Sequence, residues 1–184
     1  MEAPGDRDDA RLVATALRGD KSAFSELMTR HRARLHRFVR TYVGDEDEAF
    51  DLIQDAFVAC WTALDSFDSK RGPFAIWLRR IALNKCRDWS RRRKVRAFFF
   101  AARRLSETAN IATPVAAPPD PRLAKLENAI VQLPAPLKEP LLLTLFEGMS
   151  HVEAAAMLGV STKAIETRLY RAKQKLREML QDPA

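Results

Sequence analysis

Residues 147–180 read EGMSHVEAAAMLGVSTKAIETRLYRAKQKLREML, and this stretch decides how the rest of the chain is taken. Ser150-His151-Val152-Glu153 has the form of a capping box, in which a serine oxygen and a glutamate three residues on satisfy free amides at a helix start. A short helix is predicted to follow, carrying Ala154, Ala155, Ala156, Met157 and Leu158. Gly159 then supplies a residue able to take the left-handed conformation that ends helices. Ser161 caps a second predicted helix, from 162 to about 180, in which Ile165, Leu169, Ala172, Leu176 and Met179 recur at three- and four-residue steps and form one apolar stripe. The pattern is a helix-turn-helix.

The other side of that second helix indicates its use. Lys163, Thr167, Tyr170, Arg171 and Gln174 point away from the stripe, with Lys173, Lys175 and Arg177 on its flanks. From 161 to 180 there are six Lys/Arg against two acids, Glu166 and Glu178, a local charge of +4. Donors and cations on one helix face suit a DNA major groove, where side chains read base edges and charge holds phosphates. An ordinary helical hairpin with a solvated basic face is the competing interpretation. The capped short helix and glycine turn placed before this helix favour DNA.

The chain has 184 residues, a formal charge of +7 and an isoelectric point near 9.8, which make an anionic partner, nucleic acid first, plausible. Cys60 and Cys86 stand apart without a C-x-x-C partner, so they are expected to be reduced, buried and inert. The three histidines have no Cys or acid at ligand spacing, and no metal or other cofactor is expected. The start of the chain is charged and no apolar run approaches the ~20 residues of a membrane crossing. A cytoplasmic protein without membrane insertion is the expectation.

Apolar steps of three and four run through almost the whole chain and strand alternation is nearly absent. The expected fold is all-α, two small helical domains joined by a Pro-rich linker. Their expected bounds are 1–94, 95–121 for the linker and 122–184. Pro114, Pro118, Pro119 and Pro121 make an extended linker. Fully stretched, its ~27 residues could reach roughly 90 Å.

In the first domain a short helix is expected over 9–18, a longer one from 21 or 22 to Gly44, and a third over 45–64. Phe24, Leu27, Met28, Leu35, Phe38, Val39 and Tyr42 mark the buried stripe of the second. From 41 to 69 the sequence has no Lys or Arg and eight acids, a separate surface with a separate partner. Asp51, Gln54 and Asp55, with Val58, share one face at helical steps. With no nucleophile or second titratable cluster beside them, a dock for a basic protein partner, or a solvated face, is preferred to catalysis.

Residues 66–73 form a loop by composition. The next helix starts at Phe74 and enters an arginine run. From 79 to 96 there are nine Lys/Arg against one acid, Asp88. Arg80, Asn84, Arg87 and Arg91 share a face with Trp77 at its border. Cations, an amide and aromatics together fit unpaired DNA, whose phosphates need charge and whose bases need stacking and edge contacts. Trp89 is assigned to the core.

The order of these features resembles a bacterial extracytoplasmic-function sigma factor, the smallest type in the main sigma family. The resembling residues are Asp51-Leu52-Ile53-Gln54-Asp55-Ala56-Phe57 with Trp61, Leu64-Asp65-Ser66-Phe67-Asp68, Phe74-Ala75-Ile76-Trp77-Leu78, Arg80-Ile81-Ala82-Leu83-Asn84 and Arg91-Arg92-Arg93. Further on they are Leu133-Pro134, Glu147-Gly148-Met149-Ser150, Glu153-Ala154-Ala155 and Arg168-Leu169-Tyr170-Arg171-Ala172.

The resemblance implies a non-enzymatic factor that binds core RNA polymerase and directs it to promoters. It implies that Asp51, Gln54 and Asp55 dock on the clamp of one large subunit. Lys70, Arg71, Phe74, Trp77, Arg80, Asn84, Arg87 and Arg91 would take the melted minus-10 element. Ser161, Lys163, Thr167, Arg168, Tyr170, Arg171 and Gln174 would take the duplex minus-35 element, with that domain against the flap of the other large subunit. An anti-sigma factor is a further implied partner. Glu166 and Thr167 stand where many relatives carry a basic residue and serine, so no relative's minus-35 sequence is transferred. A helix-turn-helix regulator acting without polymerase, and a nuclease or recombinase, are the alternatives.

Overall fold

The computed structural model describes residues 4–103 and 120–181. Among these residues every regular element is helical. Eight helices follow one another: α1 Pro4–Leu17, α2 Lys21–Val43, α3 Glu46–Thr62, α4 Phe74–Arg103, α5 Pro121–Gln132, α6 Ala135–Leu141, α7 His151–Leu158 and α8 Thr162–Gln181. Short 3-10 turns at Leu64–Ser66 and Ser69–Arg71 lie between α3 and α4, and α6 runs on into a π turn, Leu142–Phe146. The expected all-α fold is what the chain adopts. Helix α1 begins earlier than the expected start at 9, and α4 continues to Arg103, into the stretch read as linker. Prolines 114, 118 and 119 lie outside the described residues.

The chain divides into two compact units, Met1–Val39 with Asp47–Arg92, and Arg40–Glu46 with Arg93–Ala184. In the first, Leu27, Leu35, Phe38 and Val39 of α2 are buried with Ala49, Leu52, Ile53, Ala56 and Cys60 of α3 and Phe74, Leu78, Ala82, Leu83, Cys86 and Trp89 of α4. These positions recur at helical steps, so each helix turns one stripe inward and leaves its charged side to water. Cys60 and Cys86 are free thiols, and burial pushes Cys60 up to about 12. Trp89 is a core residue, as expected, and its Nε1 donates to Glu48 Oε2 at 2.7 Å.

In the second unit α8 packs against α5, α6 and α7. Its stripe Ile165, Leu169, Ala172 and Leu176 is buried, with Met179 half-buried. The start of α5 is set by Asp120, which accepts from Arg122 N at 2.8 Å, and by Pro121, which needs no hydrogen-bond partner at a first-turn position. The capping box at α7 is complete: Glu153 N donates to Ser150 Oγ at 3.2 Å and Ser150 N donates to Glu153 Oε2 at 2.8 Å. That hydrogen bonding lowers the Glu153 carboxyl below its ordinary value. Gly159, at φ 68°, ends α7 in the left-handed conformation, and Ser161 Oγ accepts from Ala164 N at 3.2 Å to open α8.

Candidate polymerase and nucleic-acid interfaces

Helix α3 presents two kinds of surface. Asp51, Gln54 and Asp55 are all exposed, on the face expected for them. Beside them lies an open apolar trough that the sequence reading did not foresee as a whole. One part, about 490 Å³, is lined by Met28, Arg32 and His36 of α2 and Phe50, Phe57 and Val58 of α3, among others. An adjoining part of about 360 Å³ is lined by Phe24, Met28, Val58 and Trp61. Val58 is 66% exposed and Phe50 46%, so apolar area here faces water. Met28, read as core from its period, is instead half-buried and forms part of the trough wall. Gln54 lines the trough, Arg32 and His36 stand on its α2 side, and Asp51 and Asp55 are exposed beside it on α3, so an apolar channel with charge of both signs near it accepts a partner helix with apolar side chains inside and polar groups at its edge.

Helix α4 and the loop before it form the second surface. Arg80, Asn84 and Arg91 are exposed and Arg87 is half-buried, so the expected face exists as a ridge along one helix. Arg91 pairs with Asp88, leaving its outer side open. The loop carries Lys70 and Arg71 at its exposed tip. Asp68 accepts from Lys70 N at 3.0 Å, and Gly72, at φ 135°, turns the chain back toward α4 where a side chain would be strained.

Beneath the tip, Phe67, Phe74 and Trp77 form a ring cluster. Phe67 and Phe74 meet edge to face at 5.5 Å, and Trp77 lies 5.5 Å from Phe67 and 5.7 Å from Phe74. Phe74 is only 1% exposed. Its reading as a DNA contact is therefore corrected: the ring has no surface to offer a base and serves as floor to Phe67 and Trp77, which are half-buried. The family resemblance implied contact, whereas packing on its neighbours buries the ring.

The third surface is the outer side of α8. Ser161, Lys163, Thr167, Tyr170, Arg171 and Gln174 are exposed and Arg168 is half-buried. Several of these groups are already tied to neighbours. Thr167 Oγ1 donates to Lys163 O at 2.9 Å, and Gln174 Nε2 donates to Tyr170 Oη at 2.7 Å, which holds the 63%-exposed tyrosine. Lys163 Nζ lies 3.4 Å from Glu166 Oε2. A capped short helix, a left-handed glycine and a second helix with a basic outer face are the parts by which helix-turn-helix proteins enter a major groove.

Both parts of the chain find their counterpart in known proteins. A family model of sigma-70 region 2 matches residues 27–96, and one of sigma-70 region 4 matches residues 123–176. The RNA polymerase sigma factor NccH of Alcaligenes xylosoxydans xylosoxydans is 42% identical over 178 residues, which cover 94% of this chain and 95% of NccH. The ECF RNA polymerase sigma factor SigM of Mycobacterium tuberculosis is 30% identical over 181 residues, covering 95% of this chain and 86% of SigM. The chain belongs to the extracytoplasmic-function sigma factors.

A solved structure, that of CnrH in complex with the cytosolic domain of CnrY, superposes on this sigma factor with a TM-score of 0.68 at 37% identity, covering 94% of this chain and 97% of that one. As a member of the family this sigma factor directs RNA polymerase to promoters, and the alternative of a regulator acting without polymerase is set aside. Among the described residues no helix is long and apolar enough to cross a membrane.

Proposed function

We propose that this sigma factor divides initiation among the three surfaces. The domain of residues 1–94 docks on the polymerase clamp through Asp51, Gln54 and Asp55 and the trough beside them. The same domain holds the melted minus-10 strand with Lys70, Arg71, Trp77, Arg80, Asn84, Arg87 and Arg91. The domain of residues 122–184 holds the duplex minus-35 element with Ser161, Lys163, Thr167, Arg168, Tyr170, Arg171 and Gln174 and lies against the flap of the other large subunit. The observation that carries this reading is the pairing, within one unit, of an apolar trough between α2 and α3, with the exposed Asp51 and Asp55 beside it, and a cationic ridge on α4. One suits protein and the other suits nucleic acid.

Energetics make the two uses interdependent. Opening about ten base pairs costs on the order of 14 kcal/mol at ~1.4 kcal/mol per stacking step. Each captured base returns about 1–3 kcal/mol, and a surface this small captures only a few. Core polymerase supplies the remainder, and the isolated chain does not melt DNA. The trough is also where an anti-sigma factor could compete with the clamp: CnrH is bound by the cytosolic domain of CnrY, and an inhibitor of comparable kind is proposed here.

The test is multi-round transcription of a promoter library by core polymerase with and without the chain. Discrete transcripts that depend on the chain support the proposal and, aligned, give both promoter elements. Core binding without transcripts would refute the promoter-reading assignments; no core binding would refute the docking assignment.

A further inference from the structure

Away from the three surfaces, one side-chain cluster in the first unit joins α1 to the loop before α4. Asp9 of α1 is buried, with its side chain 6% exposed, and both oxygens are engaged. Oδ2 lies 2.7 Å from His31 Nε2, and Oδ1 accepts from Arg30 Nη1 at 3.4 Å. The His31 ring, so oriented, stands 5.3 Å from that of Phe74. Phe74 in turn supports Phe67 and Trp77. Helix α1 also packs on the turn Leu64–Ser66, the residues just before Phe67.

The loop tip is held by bonds within itself, Asp68 accepting from Lys70 N and pairing with Arg71. Asp68, Ser69, Lys70, Arg71 and Pro73 are exposed, and a segment with few buried contacts is locally unstable. The rings at its two ends, Phe67 and Phe74, meet each other, and Phe74 stands against His31. A site that must receive an unpaired base gains affinity when its walls are ordered beforehand, because the ordering entropy is not charged to binding. A carboxylate that fixes a ring beneath the floor of such a site does this without touching the ligand.

We propose that α1 braces the base-capture loop, with Asp9 and His31 as positioning residues that set its aromatic floor. Both act through Phe74, and neither meets DNA. The bracing carboxylate lies ahead of residue 27, where the match to sigma-70 region 2 begins, so this support is contributed by a segment outside that match. The inference rests on reading the loop at 67–74 as part of the minus-10 site.

Holoenzymes assembled from core polymerase and the wild-type, Asp9→Asn, Asp9→Glu or His31→Phe chain provide the test. Each is titrated with a fluorescent single-stranded oligonucleotide carrying the nontemplate minus-10 element of a promoter the wild type transcribes, and its affinity for core is measured in parallel. Asp9→Asn and His31→Phe are expected to weaken oligonucleotide binding about tenfold while core affinity stays within about twofold. Asp9→Glu, which restores the carboxylate, is expected to recover most of the loss. His31→Phe keeps a ring against Phe74 and so separates the lost carboxylate contact from lost packing; it also stands in should Asp9→Asn fail to fold. Unchanged oligonucleotide affinity in the variants, or an equal fall in core affinity, overturns the proposal. If the wild-type holoenzyme itself does not hold the oligonucleotide, the minus-10 assignment of the loop fails, and the brace fails with it.

Discussion

The indole Nε1 of Trp89 donates to Glu48 Oε2 at 2.7 Å, which ties the middle of α4 to the first turn of α3. One helix carries the proposed strand-reading ridge and the other the proposed polymerase dock, so the bond fixes the spacing of two surfaces that must act together. Trp89→Phe keeps most of the buried ring and removes the donor. It is expected to cost about 1.5–3 kcal/mol, the range for a hydrogen bond to a charged group. Chemical unfolding of the variant checks this, and a cost below ~0.5 kcal/mol would show that the bond holds little.

Charge reversal at the dock is expected to separate the acidic face from the apolar floor. Asp55→Arg places a cation against the basic partner surface that face is proposed to meet, and Val58→Glu places a charge in the trough. Each should weaken core binding by roughly tenfold or more, on the order of 1.4 kcal/mol. Neither touches the fold's interior, since both side chains are exposed. Competition binding to core measures it, and wild-type affinity in both variants would remove the dock from α3.

Glu166 is an exposed acid of α8, near Lys163 on the side proposed to face DNA. Among base edges in the major groove a carboxylate finds its partner in a donor such as the cytosine amine. Glu166→Ala is therefore expected to relax selectivity at one base pair of the minus-35 element by about 1–3 kcal/mol and to leave minus-10 preference unchanged. Selection from a minus-35-randomised promoter pool reads this directly. A variant pool identical to the wild-type pool would assign Glu166 to solvent.

The capping box makes the second unit sensitive to acid. Glu153 titrates below its ordinary 4.5 because Ser150 donates to it in the folded chain. A depressed carboxyl stabilises the fold above its unfolded value and loses that contribution as pH falls through the folded one. Stability from this pair is thus full at neutral pH and fades below about pH 4.5. Ser150→Ala is expected to cost about 1 kcal/mol at pH 7, with a smaller difference from wild type under acid. Thermal melts at the two pH values test the sign.

How far the sequence could be read depended on how local each cause is. The turn between α7 and α8 was legible residue by residue, because Ser150, Glu153, Gly159 and Ser161 act on amides within a few positions of themselves. Asp51, Gln54 and Asp55 were placed on one exposed face by helical period alone. The trough beside them was not read, because its other wall comes from α2, and a period cannot say whether Met28 meets a neighbour or an opening. Phe74 failed in the opposite sense: the family resemblance suggested a ligand, while Phe67, Trp77 and His31 had already enclosed it. Asp9 carried no local signal, since its partners are 21 and 22 residues away.

Helix α4 is one unbroken element of 30 residues, about 45 Å long at 1.5 Å per residue. Arg80, Asn84, Arg87 and Arg91 are consequently marks on a single screw, and their common direction depends on the number of residues between them. One residue inserted after Asn84 would swing Arg87 and Arg91 by about 100°, away from the strand that Arg80 still faced. Seven inserted residues would bring them nearly back into phase, displaced along the axis by roughly 10 Å. In this helix a change of letter alters one contact, and a change of length alters every contact beyond it.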